Sequence, residues 1–429
     1  MSTSLLTQGA DVGAGDYSHH YVYPITPVNC SVELLADLRF TTDAMNRRSV
    51  TAVISGYGMT EMSHNSGRTV LDQAAEACQQ AIDNAGLQAT EVDGMSSFSL
   101  YHDSVPCSAV AATLGLGDLN YLMDADIGGQ AAAHMVLTAA AIVEAGVADH
   151  VVVFRALNGR SGVRIGREPD TGGSTAFRYA AGLLSYPQVI ATWAQRYMIE
   201  TGADEQDLGA AVVAQRQYAM RNPRAVRRKP LNLEDYLSQP FITTPFRAAD
   251  CAIEIDGAAA LVVSNRAKVS SSTHPMVAVR AGVWLSHQAD LDLGGSYLAT
   301  DYSRSFASHA APTLWERAGM APSDIDIAEL YDCFSGLLLM NLEGFGFCGR
   351  GEAGAFIRSG ETGLRGSLPT NTHGGLLSEG YLHGMNTVVE AVRQLQQRAG
   401  DLQVDEPTTA LVCSGGRVAG SAVVLERLS

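Results

Sequence analysis

The sequence has no CxxC pair, and its cysteines are scattered and odd in number. Neither a zinc site nor a disulfide framework follows from such spacing. We therefore expect the chain to carry no metal of its own and to keep its thiols reduced, as in the cytoplasm. The seven cysteines are Cys30, Cys78, Cys107, Cys251, Cys333, Cys348 and Cys413.

Basic residues are scarce, with 29 Lys and Arg against 45 Asp and Glu and a formal net charge of −16. A general nucleic-acid binder needs clustered Lys and Arg over a large surface, so this class is excluded. The sequence also lacks a run of about 18 apolar residues, which argues against a membrane span. Residues 1–44 do not show a basic start followed by an apolar core, so we do not expect a secretory signal.

One dense basic stretch remains, and it has two interpretations. A run of charges is most often a solvated face of the protein. The alternative is a site for phosphates, such as those of coenzyme A. The stretch consists of Arg221, Arg224, Arg227, Arg228 and Lys229.

Short apolar runs alternate with segments of helical periodicity, which predicts an α/β fold. Residues 50–58 form an apolar run closed by glycines, the pattern of a buried parallel strand. Residues 69–85 carry apolar residues at helical spacing, and Gly86 follows as a suitable helix stop. The hydrophobic content of 46% is enough for a large core.

The order of predicted elements suggests two similar halves. Residues 1–44 are predicted to be an extension outside the fold, either disordered or used for docking. The alternative is that the natural protein starts at Met45. The N-terminal half is expected at 45–270, with an inserted loop domain at about 157–247, and the C-terminal half at 271–429. The insert shows no recognisable code for substrate specificity.

Four segments resemble, in order, motifs of the thiolase superfamily. They are DCAIEIDGAAA at 250–260, AELYDCF at 328–334, NTHGGLLSEGY at 371–381 and CSGG at 413–416. Each glycine pair alone is a weak signal, but four motifs in the family order are a strong one. The resemblance implies a thiolase fold, with a duplicated five-layer αβαβα core that is normally a homodimer.

The departures from the thiolase pattern concern the reactive groups. Thiolases place a nucleophilic cysteine at a helix N-terminus that favours the thiolate, whereas the corresponding region here, 124–132, has no cysteine. Tyr331 and Tyr381 stand where thiolases have their two motif histidines. A phenol with a pKa near 10 acts best as a donor to an enolate, or as a base if its pKa is lowered. Claisen condensation and thiolysis are therefore not expected.

This pattern resembles the lipid-transfer-protein-like aldolases of the superfamily, which cleave steroid side chains. The resemblance implies retro-aldol cleavage of a β-hydroxy acyl-CoA to a ketone and a short acyl-CoA such as propionyl-CoA. Tyr331 and Tyr381 would be the acid/base pair, in an order that stays open. In this mechanism His373 and His383 would tune the tyrosines or relay protons, and Asp332 would orient the Tyr331 loop. Backbone N–H groups of the loop with Cys413, Gly415 and Gly416 would help to hold the thioester oxygen. Coenzyme A binding by Arg221, Arg224, Arg227 and Arg228 is the second interpretation of the basic stretch.

The resemblance also bears on cofactors and partners. No cofactor is expected beyond the acyl-CoA substrate. A homodimer is expected, together with a small OB-fold partner protein that is often zinc-bearing, so any zinc would lie on the partner.

Two other functions stay open from the residues alone. One is a cysteine-independent acyltransferase of the same fold, and the other is a non-catalytic subunit that binds acyl-CoA or lipid. His373 and Cys413 can also be interpreted without a role in catalysis. His373 would then cap backbone groups, and Cys413 would be a buried thiol.

Overall fold

The computed structural model describes residues 51–162, 179–269, 274–286, 302–416 and 419–428. The extension predicted at 1–44 and part of the predicted insert lie outside these residues. The strands are β1 (Ala52–Met59), β2 (Gly94–Ser99), β3 (Tyr121–Asp126), β4 (His150–Asn158), β5 (Phe241–Thr243), β6 (Phe246–Arg247), β7 (Asp256–Asn265), β8 (Val277–Ser286), β9 (Ile327–Glu329), β10 (Thr409–Gly415) and β11 (Ala419–Arg427). The α-helices are α1 (Val70–Asn84), α2 (Cys107–Leu114), α3 (Ala132–Glu144), α4 (Tyr186–Thr201), α5 (Glu205–Arg221), α6 (Leu233–Leu237), α7 (Ala307–Ala318), α8 (Ser335–Gly344), α9 (Ala353–Arg358), α10 (Gly375–Ser378) and α11 (Met385–Leu395).

Nine strands form one mixed sheet in the order β3-β2-β4-β7-β1-β8-β11-β10-β9. β2 is parallel to β3 and β4, and β9 is parallel to β10, whereas the other neighbours are antiparallel. Strands from the first part of the chain thus lie in one half of the sheet, and β8 to β11 in the other. Two residue pairs between β1 and β8, Val53 with Ala278 and Ile54 with Val277, join the halves.

Helices lie on the outer side of each half of the sheet and also between the two halves. α3 and α11 contact strands of both halves and share one apolar core with them. α1 packs on the outer face of β1, β4 and β7, and α7 packs on β8 and β11 from the far side. The layers therefore run helix, strands, helices, strands, helix, which is the five-layer order that the resemblance to thiolases implies.

Helix α1 shows how the sequence sets this packing. Its N-terminus is capped by Thr69, whose side chain accepts a hydrogen bond from the N–H of Asp72 at 3.1 Å. On the facing strand, a Cβ at Gly56 would lie 2.6 Å from the main-chain nitrogen of Ala85. The helix therefore lies directly against the strand backbone, which only glycine permits at this position.

The apolar pattern of residues 250–263, which include the first thiolase-like segment, predicts one buried strand from Asp250, but β7 starts only at Asp256. This part of the prediction is wrong. The N–H groups of Ala252 and Ile253 donate to the carbonyls of Cys333, at 2.9 Å, and of Leu376 in α10, at 3.2 Å, rather than to a neighbouring strand of the main sheet. Ile253 is buried here as it would be in a strand of the sheet, so its apolar side chain does not distinguish the two environments.

Between β4 and β7 lie α4, α5, α6 and the β5–β6 hairpin, in the stretch predicted as an insert. α4 contacts α8, and α5 contacts α8 and α9, so this stretch joins the core of the C-terminal half. Within the described residues, no helix is both long and apolar enough to cross a membrane.

Candidate active site

Two loops of the C-terminal half carry the two tyrosines. Tyr331 lies between β9 and α8, and Tyr381 lies between α10 and α11. The segment before β7 runs between these loops and holds both: Ala252 donates to the carbonyl of Cys333 at 2.9 Å, and Tyr381 donates to the carbonyl of Ile253 at 3.1 Å. Three of the four motifs recognised in the sequence thus meet at one place.

The two phenol groups are in direct contact. The hydroxyl oxygens of Tyr331 and Tyr381 are 2.6 Å apart, and the rings meet edge to face with centroids 6.2 Å apart. Tyr331 is only 3% exposed, whereas Tyr381 is half-buried. A short hydroxyl-to-hydroxyl contact of this kind permits proton transfer between the two phenols.

Burial raises the pKa of both phenols well above the ordinary value. The pKa of Tyr331 is raised further by Tyr381, and that of Tyr381 by the nearby Cys333 thiol. The positive charge of Arg155 opposes these effects at Tyr381. Both tyrosines are consequently protonated at neutral pH.

Gly129 explains how the pair fits into the region where thiolases carry their cysteine. It lies in a short 3₁₀ turn, Gly128–Gln130, directly before α3. A Cβ at Gly129 would overlap the hydroxyl oxygen of Tyr331 and would lie 2.8 Å from its Cζ and 3.2 Å from the hydroxyl of Tyr381. The Tyr331 hydroxyl thus fills the space that a side chain at 129 would need.

A buried arginine behind the pair was missed by the sequence analysis. Arg155 of β4 is fully buried and forms an ion pair of 2.6 Å with Asp103. Its Nη2 is also 2.9 Å from Nδ1 of His383, whose ring lies 4.6 Å from that of Tyr381. A charged residue inside an apolar strand, as in VVVFRAL at 151–157, is the signal that could have found it.

Known proteins that are similar to this chain support the family expected from the sequence. The thiolase C-terminal domain-like family matches residues 297–426. The 17-hydroxy-3-oxo-4-pregnene-20-carboxyl-CoA lyase of Mycobacterium tuberculosis is 39% identical over 354 residues, covering 80% of this chain and 91% of that protein. The steroid side-chain-cleaving aldolase of Thermomonospora curvata is 39% identical over 393 residues, covering 87% of this chain and 97% of that protein. The chain belongs to the aldolases of the thiolase superfamily.

A solved structure agrees with this assignment. The structure of the Ltp2-ChsH2(DUF35) aldolase superposes with a TM-score of 0.82 at 37% identity, covering 88% of this chain and 98% of that one. The predicted thiolase fold and the predicted carbon–carbon lyase class are therefore confirmed. The roles of individual residues remain predictions.

Asp332 of the aldolase connects the loop that carries Tyr331 with α10, which precedes Tyr381. Its Oδ1 accepts from the N–H of Leu376 in α10 at 2.7 Å, and a Cβ at Gly375 would overlap its Oδ2. Gly375 also has a φ of +64°, so glycine is needed there for two reasons. Burial raises the pKa of Asp332 to about 7, against the hydrogen bonds from α10. This contact fits the predicted orienting role.

Cys413 lies beneath Tyr331 as a neutral thiol. It is fully buried, and its Sγ accepts from the N–H of Tyr331 at 3.3 Å. Burial raises its pKa to about 12. A thiol with such a pKa is a packing group at neutral pH rather than a nucleophile.

The glycines after Cys413 belong to a hairpin. Gly415 is the last residue of β10 and pairs with Gly420 of β11. The N–H of Gly416 donates to the carbonyl of Ala419 at 3.1 Å. The expectation that the Gly416 N–H holds the thioester oxygen is therefore corrected, because the hairpin already uses it.

His373 lies in a fully buried network of charges rather than beside the tyrosines. Its Nδ1 is 3.0 Å from Glu329 and its Nε2 is 3.7 Å from Glu379. Burial alone would lower the pKa of His373, but these two carboxylates outweigh it and raise the pKa to about 9. The network supports the base of the Tyr381 loop, so His373 does more than cap backbone groups.

Two of the four predicted coenzyme A arginines are used inside the protein. Arg224 forms ion pairs with Glu379 at 2.8 Å and with Glu390 at 2.9 Å. Arg227 donates to the carbonyls of Cys251 at 2.9 Å and Leu377 at 3.2 Å. For this pair the predicted phosphate site is wrong, because buried carboxylates and carbonyls take up the guanidinium groups.

Arg221 and Arg228 are exposed. Arg221 also donates to the carbonyl of Asp401. Phosphate binding by these two residues stays a prediction.

Deprotonation of His373 should lower the free energy of unfolding of the aldolase at alkaline pH. Its pKa is raised from 6.5 to about 9 on folding, so its contribution is complete below about pH 6.5 and is lost as the pH rises through 9. A shift of this size corresponds to about 3 kcal/mol. Urea unfolding at pH 6, 8 and 10 should show this fall in the free energy of unfolding.

A double variant, His373→Gln with Glu329→Gln, is the control because it removes both charges of the closest pair. It should show a shallower fall between pH 8 and 10. An unchanged slope would mean that His373 is neutral in the folded protein.

Proposed function

We propose that this aldolase cleaves a β-hydroxy acyl-CoA whose hydroxyl-bearing carbon lies in a steroid ring, releasing a ketone and a short acyl-CoA such as propionyl-CoA. The observation that carries the proposal is the 2.6 Å contact between two phenols in the region where a thiolase nucleophile would lie. The steroid part is supported by the names of the two relatives that are 39% identical.

Retro-aldol cleavage moves one proton from oxygen to carbon. The β-hydroxyl loses its proton, the Cα–Cβ bond breaks, and its electron pair forms an enolate while the hydroxyl carbon becomes a ketone. The Cα of the enolate then takes up one proton. Proton balance is therefore complete within one site that can accept at one position and donate at another.

The phenol pair can accept the hydroxyl proton and donate a proton to Cα if the two tyrosines act as a relay. One tyrosine accepts the hydroxyl proton and passes its own proton to the other across the 2.6 Å contact, and the second protonates Cα. Neither phenol is left ionised at the end. This fits the raised pKa of Tyr331 and Tyr381, since no free phenolate has to form at neutral pH.

A Schiff-base aldolase would need a lysine at this place. The sequence contains two lysines, Lys229 and Lys268. Lys268 is 58% exposed and lies 3.6 Å from Asp149, and the carbonyl of Lys229 accepts from Arg216. Neither residue is among those that surround the tyrosine pair, which favours the phenol route.

We also propose that the acyl-CoA site is completed by other chains. The DUF35 component in the name of the similar solved structure supports a small OB-fold partner, and a homodimer remains part of the proposal. Among the described residues, no group of three His, Cys, Asp or Glu is arranged to hold a metal. We propose that any zinc lies on the partner, as the resemblance to the steroid side-chain-cleaving aldolases implies.

The test is cleavage of a tertiary β-hydroxy steroid acyl-CoA by the chain purified with and without a co-encoded OB-fold protein. We expect ketone and propionyl-CoA in equal amounts, with Tyr331→Phe as the inactive control. Absence of cleavage in both preparations would contradict the proposed function. A product that forms only when free coenzyme A or a second acyl donor is added would favour the acyltransferase instead.

A further inference from the structure

The hydrogen bonds of Arg155 fix the protonation of His383. Nη2 of Arg155 lies 2.9 Å from Nδ1 of the imidazole, and Nε donates to the same atom at 3.3 Å. Arginine carries only donors, so Nδ1 must be the acceptor. The proton of the neutral imidazole is consequently on Nε2.

That Nε2–H group has no partner within the described part of the chain, although His383 is fully buried. A buried donor without an acceptor is costly, and such groups are rare outside functional sites. His383 also has a φ of +52°, a left-handed conformation that is unfavourable for histidine. The fold thus keeps His383 with an unpaired donor and an unfavourable backbone conformation. Its ring centroid lies 4.6 Å from that of Tyr381.

We propose that His383 donates its Nε2–H to the thioester oxygen of the substrate as this oxygen becomes an enolate, and that Arg155 is the positioning residue that holds and polarises the imidazole. The inference rests on the proposed function. It assigns no proton transfer to His383, because the phenol pair already balances the protons. A preorganised donor aimed at developing negative charge in a site without water is a large source of rate enhancement.

The surrounding charges agree with a neutral imidazole. Burial, and then the charge of Arg155, lower the pKa of His383 well below its ordinary value. The groups that face it are Arg155 from β4 and Tyr381 from its own loop, and Asp103 balances Arg155 from the other side at 2.6 Å. A neutral imidazole beside a cation is a stronger hydrogen-bond donor than one alone.

The role of Arg155 is tested with a double variant that leaves no unpaired buried charge and with a single variant that keeps the cation. Asp103→Asn with Arg155→Gln removes both charges together, whereas Asp103→Asn alone keeps the cation. We expect the double variant to lose about 100-fold in kcat with KM changed less than about threefold, and the single variant to lose less than about tenfold.

The donor itself is tested with His383→Gln and His383→Leu, which leave Arg155 paired with Asp103. Gln keeps an N–H donor and should retain at least about tenfold more kcat than Leu. If the double variant Asp103→Asn with Arg155→Gln does not fold, the His383→Gln and His383→Leu variants still test the inference. Equal activity of Gln, Leu and wild type, or a folded double variant within threefold of wild type, would overturn the inference while leaving the proposed function intact. A wild-type chain that cleaves no substrate would contradict the proposed function instead.

Discussion

Replacing either tyrosine of the pair by phenylalanine is expected to lower kcat by about 10³-fold. The double variant, Tyr331→Phe with Tyr381→Phe, should be no slower than the slower single variant. The reason is that the 2.6 Å contact makes the two phenols one relay, and a relay that is broken once transfers no proton. Single-turnover kinetics with the steroid acyl-CoA measure this directly.

Tyr218 provides a matched control for the loss of a buried hydroxyl. It is 5% exposed and donates to the carbonyl of Thr362 at 2.8 Å, away from the pair. Tyr218→Phe should keep kcat within about threefold of wild type. Additive losses in the Tyr331 and Tyr381 variants would show two independent groups and would contradict the relay.

Gly129→Ala is expected to lower kcat by at least about 100-fold although it adds only one methyl group. Its Cβ would overlap the Tyr331 hydroxyl and approach the Tyr381 hydroxyl to 3.2 Å, so the phenols must move apart. A cysteine at this position meets the same obstacle. A thiol at position 129 and the phenol pair therefore exclude each other.

Gly117→Ala is the control for adding a methyl group to a glycine elsewhere. Its Cβ would come no closer than 3.3 Å to any neighbour, and the nearest is the carbonyl of Thr90. We expect wild-type kcat for this variant. If Gly129→Ala also keeps wild-type kcat while folded, the contact between the phenols is not needed for the reaction.

The tyrosine pair could be predicted because each member lies in a motif of a known family. The contact between them follows from the fold, since the segment before β7 hydrogen-bonds to both loops. Gly129 could not be assigned in this way. A glycine carries no side chain whose chemistry a pattern can indicate, and its role is the space that it leaves for Tyr331.

Arg155 and Arg224 show two different limits of sequence interpretation. Arg155 lies 228 residues from His383 in the chain, and only the fold brings the two together. Arg224 looks like part of a solvated or phosphate-binding run. Its partners Glu379 and Glu390 lie more than 150 residues away, so the sequence does not reveal that the charge is paired and partly buried.

The most direct test of the account is product analysis of the cleavage in deuterium oxide. A retro-aldol reaction with protonation of the enolate should give equal amounts of steroid ketone and propionyl-CoA, with one deuterium at the α-carbon of propionyl-CoA by mass spectrometry. Cleavage should be about 10³-fold slower in the Tyr331→Phe and Tyr381→Phe variants. Products that carry no deuterium, or that form at the wild-type rate in both variants, would contradict cleavage through the phenol pair.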